Sequence, residues 1–170
     1  MSKYDLAGTH VLNKFVWKRL QDEFGMTTSD YKNLVPIIPG QQLPILNDLP
    51  SDRPFIVYTY VNSGYDTQFW ASVEQVTYLI YGDIEGKLRS ISNFLMDLLK
   101  RYDWSAEEIN DFIYYSSELD SDDKKFDFKY TELVSGMSPE PSETEGGRKG
   151  TAVTVRLCYT HLSNNKGMRI

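Results

Sequence analysis

Three stretches of β-forming sequence, divided by one amphipathic helical stripe, constrain this chain more than anything else in it. Residues 55–61 (FIVYTYV), 73–81 (VEQVTYLIY) and 151–160 (TAVTVRLCYT) are dense in β-branched and aromatic side chains, which fit a pleated, half-buried surface. In the second run Val76, Tyr78 and Ile80 share one side, while Gln75, Thr77, Leu79 and Tyr81 share the other. Both sides are partly apolar, so the sheet is expected to carry helices on one face and a further contact on the other. Between the second and third runs, residues 87–104 place Leu88, Ile91, Leu95, Leu98 and Tyr102 at helical spacing, with Phe94 and Leu99 widening the stripe.

The remaining elements follow from the same periodicities. Leu12, Phe15, Val16, Leu20 and Phe24 predict a helix over 9–24, with Gly25 as its stop. Residues 33–54 contain five prolines, which forbid a helix and confine any strand there to a sheet edge. The apolar residues of this arm suggest that it lies against its own domain or a neighbouring subunit. The connection NSGYDTQFWAS reads as the wide loop of a hairpin between the first two strands. Asp83 is placed to cap the central helix, and Ser105 with Glu108 reads as the capping box of a second, short helix. Trp104 and Ile109 have the spacing of its hydrophobic staple. Residues 126–134 alternate again, and residues 136–150 form a polar loop expected to be mobile when alone. The expected fold is α+β, one domain over 1–170. Its sheet is mixed but mainly antiparallel, with about four strands, packed by an N-terminal helix and the long central helix.

Composition narrows the function. A net charge of −6 over 170 residues, with no basic cluster, argues against a surface that grips nucleic acid. It is compatible with a wall past which DNA slides without sticking. The single cysteine, Cys158, rules out an internal disulfide, as in a reducing compartment. No apolar run is long enough to span a bilayer, and the first ten residues lack an apolar signal core. The expectation is synthesis in the cytosol, with no membrane partner.

Catalytic equipment is sparse. His10 and His161 stand in no metal-ligand spacing and read as surface or capping residues. Cys158 sits in an alternating strand and reads as a small core or interface residue. An EF-hand beginning at Asp120 fails, because Lys125 and Thr131 stand where glycine and glutamate are needed. The run Asp120, Asp122, Asp123 therefore reads as a solvated turn. GGRKGT precedes a strand, not a helix, and reads as a hairpin tip with two basic residues. Glu107 and Glu108 are accounted for by capping and the helix dipole. No catalytic, cofactor or metal residue is assigned. Tyr65, Phe69 and Trp70 on the turn-rich connection either fold back on the core or anchor a subunit interface. Arg148 and Lys149 complete the candidate contact set.

The order of elements is similar to that of the tail terminator, or tail completion, proteins of tailed bacteriophages. The likeness is carried by PFIVYTYV, by WASVEQVTYLIYGD running into EGKLRSISNFLMDLLKRYD, and by GRKGTAVTVRLCYT. It implies a mixed sheet with packed helices in a subunit that closes into a homo-oligomeric, usually hexameric, ring. Such a ring ends growth of the tail tube, or of a sheath, and joins it to the neck and head. The implied partners are the tube or sheath protein, a neck or head-completion protein, and DNA passing through without specific binding. The implied location is the virion, with no cofactor and no reaction. The proline-rich arm and the acidic loop depart from the simplest members of that family, which leaves open a tube cap, a sheath clamp or another neck ring, and a monomeric binding adaptor without catalytic activity is the alternative reading.

Overall fold

The computed structural model describes residues 7–40, 53–68, 70–82, 85–134, 142–143 and 149–162. In chain order these form helix α1 (Gly8–Phe24), a 3-10 turn (Thr28–Tyr31), β1 (Ile37–Pro39), β2 (Phe55–Asp66) and β3 (Ala71–Gly82). Helices α2 (Glu85–Leu99) and α3 (Asp103–Tyr115), a 3-10 turn (Asp123–Lys125), β4 (Phe126–Leu133), β5 (Ser142–Glu143) and β6 (Lys149–His161) follow. The α+β class holds. The sheet has six strands rather than about four, in the order β1-β2-β3-β6-β4 with β5 also paired to β6. The two additional strands, β1 and β5, are three and two residues long, too short to show a two-residue period. Among the described strands only the β1–β2 pair is parallel. The prolines did confine β1 to an edge, while residues 41–52 of the expected arm, Asp83 and most of 136–150 lie outside the described residues.

One face of the sheet holds the core. Val76, Tyr78 and Ile80 of β3 stand opposite Val155, Val153 and Thr151 of β6, and all six are buried. Ile56 of β2 and Phe126 and Phe128 of β4 extend this face. Two helices are pinned to it by polar contacts. The Tyr78 hydroxyl donates to Asn13 of α1 at 2.7 Å, and the Thr131 hydroxyl donates to the Leu99 carbonyl of α2 at 2.9 Å. Helix α1 ends as its sequence predicts, with Gly25 in the left-handed region and its N–H on the Gln21 carbonyl.

The start of α1 depends on a residue far away in sequence. Its first turn has no acidic side chain, and Glu74 of β3 supplies the missing acceptor. That buried carboxylate receives the Gly8 N–H at 2.9 Å, the Thr9 hydroxyl at 2.7 Å and the Tyr159 hydroxyl. An anion at this position also complements the helix dipole. Gly8 is needed for the close approach, because a Cβ there would lie 2.5 Å from the Tyr159 ring.

The boundary between the two expected helices falls earlier than the stripe over 87–104 suggested: α2 ends at Leu99 and α3 begins at Asp103. Ser105 donates its hydroxyl to the Leu98 carbonyl at 2.7 Å and accepts the Arg101 N–H at 3.0 Å. With Thr131 on Leu99, it satisfies carbonyls that a continuing helix would have used. Ser105 thus closes α2 instead of capping α3, and the expected capping box does not form. Tyr102 adopts a left-handed φ of 56° and becomes the residue before α3. The staple fails with the box: Ile109 is buried, but Trp104 lies within the first turn and is 65% exposed.

Candidate functional site

The hairpin carrying the candidate aromatics differs from the expected wide loop. Strands β2 and β3 remain paired as far as Asp66 and Ala71, through a bulge between Asn62 and Gly64. Gly64 has φ 127°, a conformation that the absence of a Cβ makes accessible and that lets the strand bend without ending. What remains of the connection runs from 67 to 70, with turn backbone at Thr67, Gln68 and Trp70. Asp66 organises it by accepting the Gln68 N–H on its carboxylate at 2.9 Å, a local turn-forming bond typical of aspartate.

Tyr65 and Trp70 come together at this tip, 48% and 64% exposed. Trp70 is held at φ 52°, so the ring is displayed from a backbone conformation that bulky residues rarely adopt. Phe69 and Arg148 lie outside the described residues. Lys149 is placed by its backbone opposite Gly82 and Glu143, at the other end of β3 from Trp70. With about 3.3 Å per strand residue, these ends are separated by roughly 36 Å. Among the described candidates, Lys149 is therefore apart from Tyr65 and Trp70.

Behind the tip is a small polar-aromatic cluster. Tyr130 donates its hydroxyl to Asp66 at 3.2 Å and stacks on Tyr102 with ring centroids 4.5 Å apart. Burial pushes the Tyr130 hydroxyl well above its ordinary range, with nearby Cys158 and Asp66 adding to the shift. Burial raises the Cys158 thiol to about 11, again with help from Asp66. A fully buried thiol held in its neutral form is a poor nucleophile. Cys158 packs with Ala71, Val73 and Tyr130, as its place in an alternating strand suggested.

The histidines separate. His10 is exposed on α1 and meets the Tyr60 ring edge-on at 6.0 Å. His161, read as a surface or capping residue, is fully buried, 4.5 Å from the Phe126 ring centroid and 3.0 Å from the Asp122 carbonyl. The acidic run is not uniformly solvated either. Asp123 is buried and ion-paired with Lys14 at 2.6 Å, while Asp120 takes the Asp123 N–H at 2.8 Å. Among the described residues no three His, Cys, Asp or Glu side chains are grouped to hold a metal. No described helix is long and apolar enough to cross a membrane.

A cleft of about 330 Å³ lies between the end of α1 and α2, with Phe24, Met26, Tyr31 and Ile91 as apolar wall and Arg53 and Lys87 at its rim. Arg53 is 3.7 Å from Asp30.

The two edges of the sheet are treated differently. Along β4, Asn110 of α3 bonds both backbone groups of Phe128, and the Thr131 N–H reaches the Tyr102 carbonyl at 3.3 Å. That edge is covered. Along β2, β1 pairs only with Ile56, Val57 and Tyr58. Beyond Tyr58, no described residue pairs with this edge. The Ile56 N–H bonds Pro36 and the Tyr58 carbonyl accepts Gly40, so by alternation the Tyr60 N–H and carbonyl point to the same open side. Thr59, Tyr60 and Val61 are exposed there, Tyr60 by 44% and Val61 by 59%. Sequence reasoning passed over Tyr60 and Val61, because a β-rich run looks the same in the middle of a sheet and at its edge. The chain matches no protein-family model, and no curated protein is matched to it either.

Proposed function

We propose that this protein is a structural ring subunit at the head-proximal end of a phage tail, where it ends growth of the tube or sheath and joins it to the neck. The reading rests on one observation: β2 runs on for several residues past its short partner β1, exposing Tyr60 and Val61 at a backbone edge that no described residue pairs. Unprotected edges of this kind are ready to accept a strand from another chain. The opposite edge is blocked, so a ring needs a different segment of each neighbour to reach the β2 edge, a heterologous contact that closes by rotation. The exposed Tyr65 and Trp70 at the hairpin tip supply aromatic anchors beside that edge. The acidic balance of the chain suits a channel wall that lets DNA pass. Sequence order adds the resemblance to tail terminator proteins. In this role the protein acts by shape and contact and performs no reaction.

Negative-stain images of the purified protein test this, with a ring around a central hole as the expected particle. A field of uniformly small, solid particles at all concentrations counts against it. A second reading, a monomeric binding adaptor, is favoured by the 64% exposure of Trp70. In that case Trp70→Ala weakens a one-to-one complex without changing the mass of the free protein.

A further inference from the structure

We propose that the outward face of α3 docks a lysine- or arginine-bearing segment of another protein, a site separate from the β2 edge. Helix α3 is sharply two-sided. Ala106, Ile109 and Ile113 point into the core and are at most 4% exposed. On the other side, Trp104, Asp111 and Tyr115 lie at i, i+7 and i+11, with Glu107 and Tyr114 beside them. Trp104, Tyr114 and Tyr115 are 65%, 76% and 79% exposed. Tyr114 and Tyr115 meet edge to face with centroids 4.9 Å apart. At 1.5 Å per residue the row is about 16 Å long.

Three large aromatics so exposed on one short helix are more than scattered surface hydrophobicity explains. Their chemistry is that of interface anchors, which bury large area at little entropic cost. The charge between them selects the occupant. Glu108, at the margin of this face, is held by Arg19 at 3.4 Å and Arg101 at 3.6 Å. Among the described residues none supplies a cation to Glu107 or Asp111 within ion-pair distance. Negative charge that no described residue pairs, set between exposed rings, fits guanidinium or ammonium groups, which pair with the carboxylates and lie over the ring faces. The same carboxylates repel a phosphate backbone, so a basic protein segment is the occupant and nucleic acid is not.

The test is fluorescence anisotropy of a labelled peptide of alternating arginine and leucine against the full chain. Glutamate–leucine peptide of equal length serves as the comparison. The basic peptide is expected to bind and the acidic one to fail. Both W104A/Y115A and E107Q/D111N are expected to weaken binding by about tenfold or more. The control D22N/E23Q removes the same charge from α1 and should change it by less than about twofold. Equal losses in the control and the E107Q/D111N variant, or no loss in W104A/Y115A, overturn the proposal, because binding is then diffuse attraction to an acidic protein. A change of oligomeric mass in W104A/Y115A also overturns it, since the face is then covered by a second copy. Ring formation can fail without affecting any of these readouts.

Discussion

Asn110 and Phe128 are joined by two hydrogen bonds: the carboxamide donates Nδ2–H to the Phe128 carbonyl at 2.9 Å and accepts the Phe128 N–H on Oδ1 at 2.8 Å. One helix side chain thus stands in for a missing strand at the β4 edge, just before the bulge between Phe128 and Tyr130. Nothing equivalent among the described residues sits beside β2 past Tyr58.

Replacing Asn110 by alanine strips Phe128 of both partners at once. Leaving a part-buried donor and acceptor unmade costs about 1–3 kcal/mol. Urea unfolding should show that loss, and the variant should aggregate more readily than the parent through the uncovered β4 edge.

Glu74 holds the start of α1, so its removal should act at a distance in sequence. Glu74→Leu leaves the Gly8 N–H and the Thr9 and Tyr159 hydroxyls without their acceptor, at a cost of about 3 kcal/mol or more. Glu74→Gln keeps one acceptor oxygen and should lose less. Hydrogen exchange is expected to quicken first in the opening turn of α1, ahead of any change in β4 or β6.

These two contacts also mark where local sequence stops being informative. Val76, Tyr78 and Ile80 announced a strand and its buried face, and Gly25 announced the end of a helix, because each signal lies within a few residues of its effect. Glu74 could not be read as the anchor of Gly8, sixty-six residues away, nor Ser105 as the terminator of α2 while it looked like a cap. Asn62, Ser63 and Gly64 have the composition of a turn, yet the neighbouring strand carries β2 through them with a bulge. His161 is buried because Phe126 and the Asp122 carbonyl close over the end of β6, which periodicity does not reveal. The aromatics of α3 were legible as residues but not as an exposed row, since the helix register depended on where α2 broke.

Alkali should destabilise the fold in a defined window. Tyr78, Tyr130 and Tyr159 are buried, and burial raises the pKa of each above the ordinary 10.0, with Glu74 adding to the shift at Tyr159. Above pH 10 the unfolded chain loses these protons while the folded chain keeps them, so unfolding becomes easier as pH rises. Their stabilisation is fully present below pH 10. Each tyrosine contributes a slope of about −1.4 kcal/mol per pH unit above that point, until its folded form ionises. Unfolding free energy measured from pH 9 to 12 should fall accordingly, and Tyr159→Phe should make that fall shallower.

Cys158 should be chemically silent in the native protein. Burial holds its thiol at about 11 and no part of it reaches solvent. Iodoacetamide at pH 8 is expected to label it only after urea unfolding. Rapid native labelling would place the thiol at the surface and contradict the packing with Ala71, Val73 and Tyr130.

Assembly through the β2 edge is most directly tested by native mass measurement of the parent protein beside Tyr60→Pro and Tyr60→Thr. Proline removes the outward N–H without touching the β2–β3 ladder, a position where an edge strand tolerates it, while threonine removes the ring and keeps the N–H. The expected result is a closed oligomer for the parent, oligomer retained in Tyr60→Thr, and folded monomer for Tyr60→Pro. A parent that stays monomeric at every concentration, or a Tyr60→Pro variant that assembles like the parent, contradicts the account.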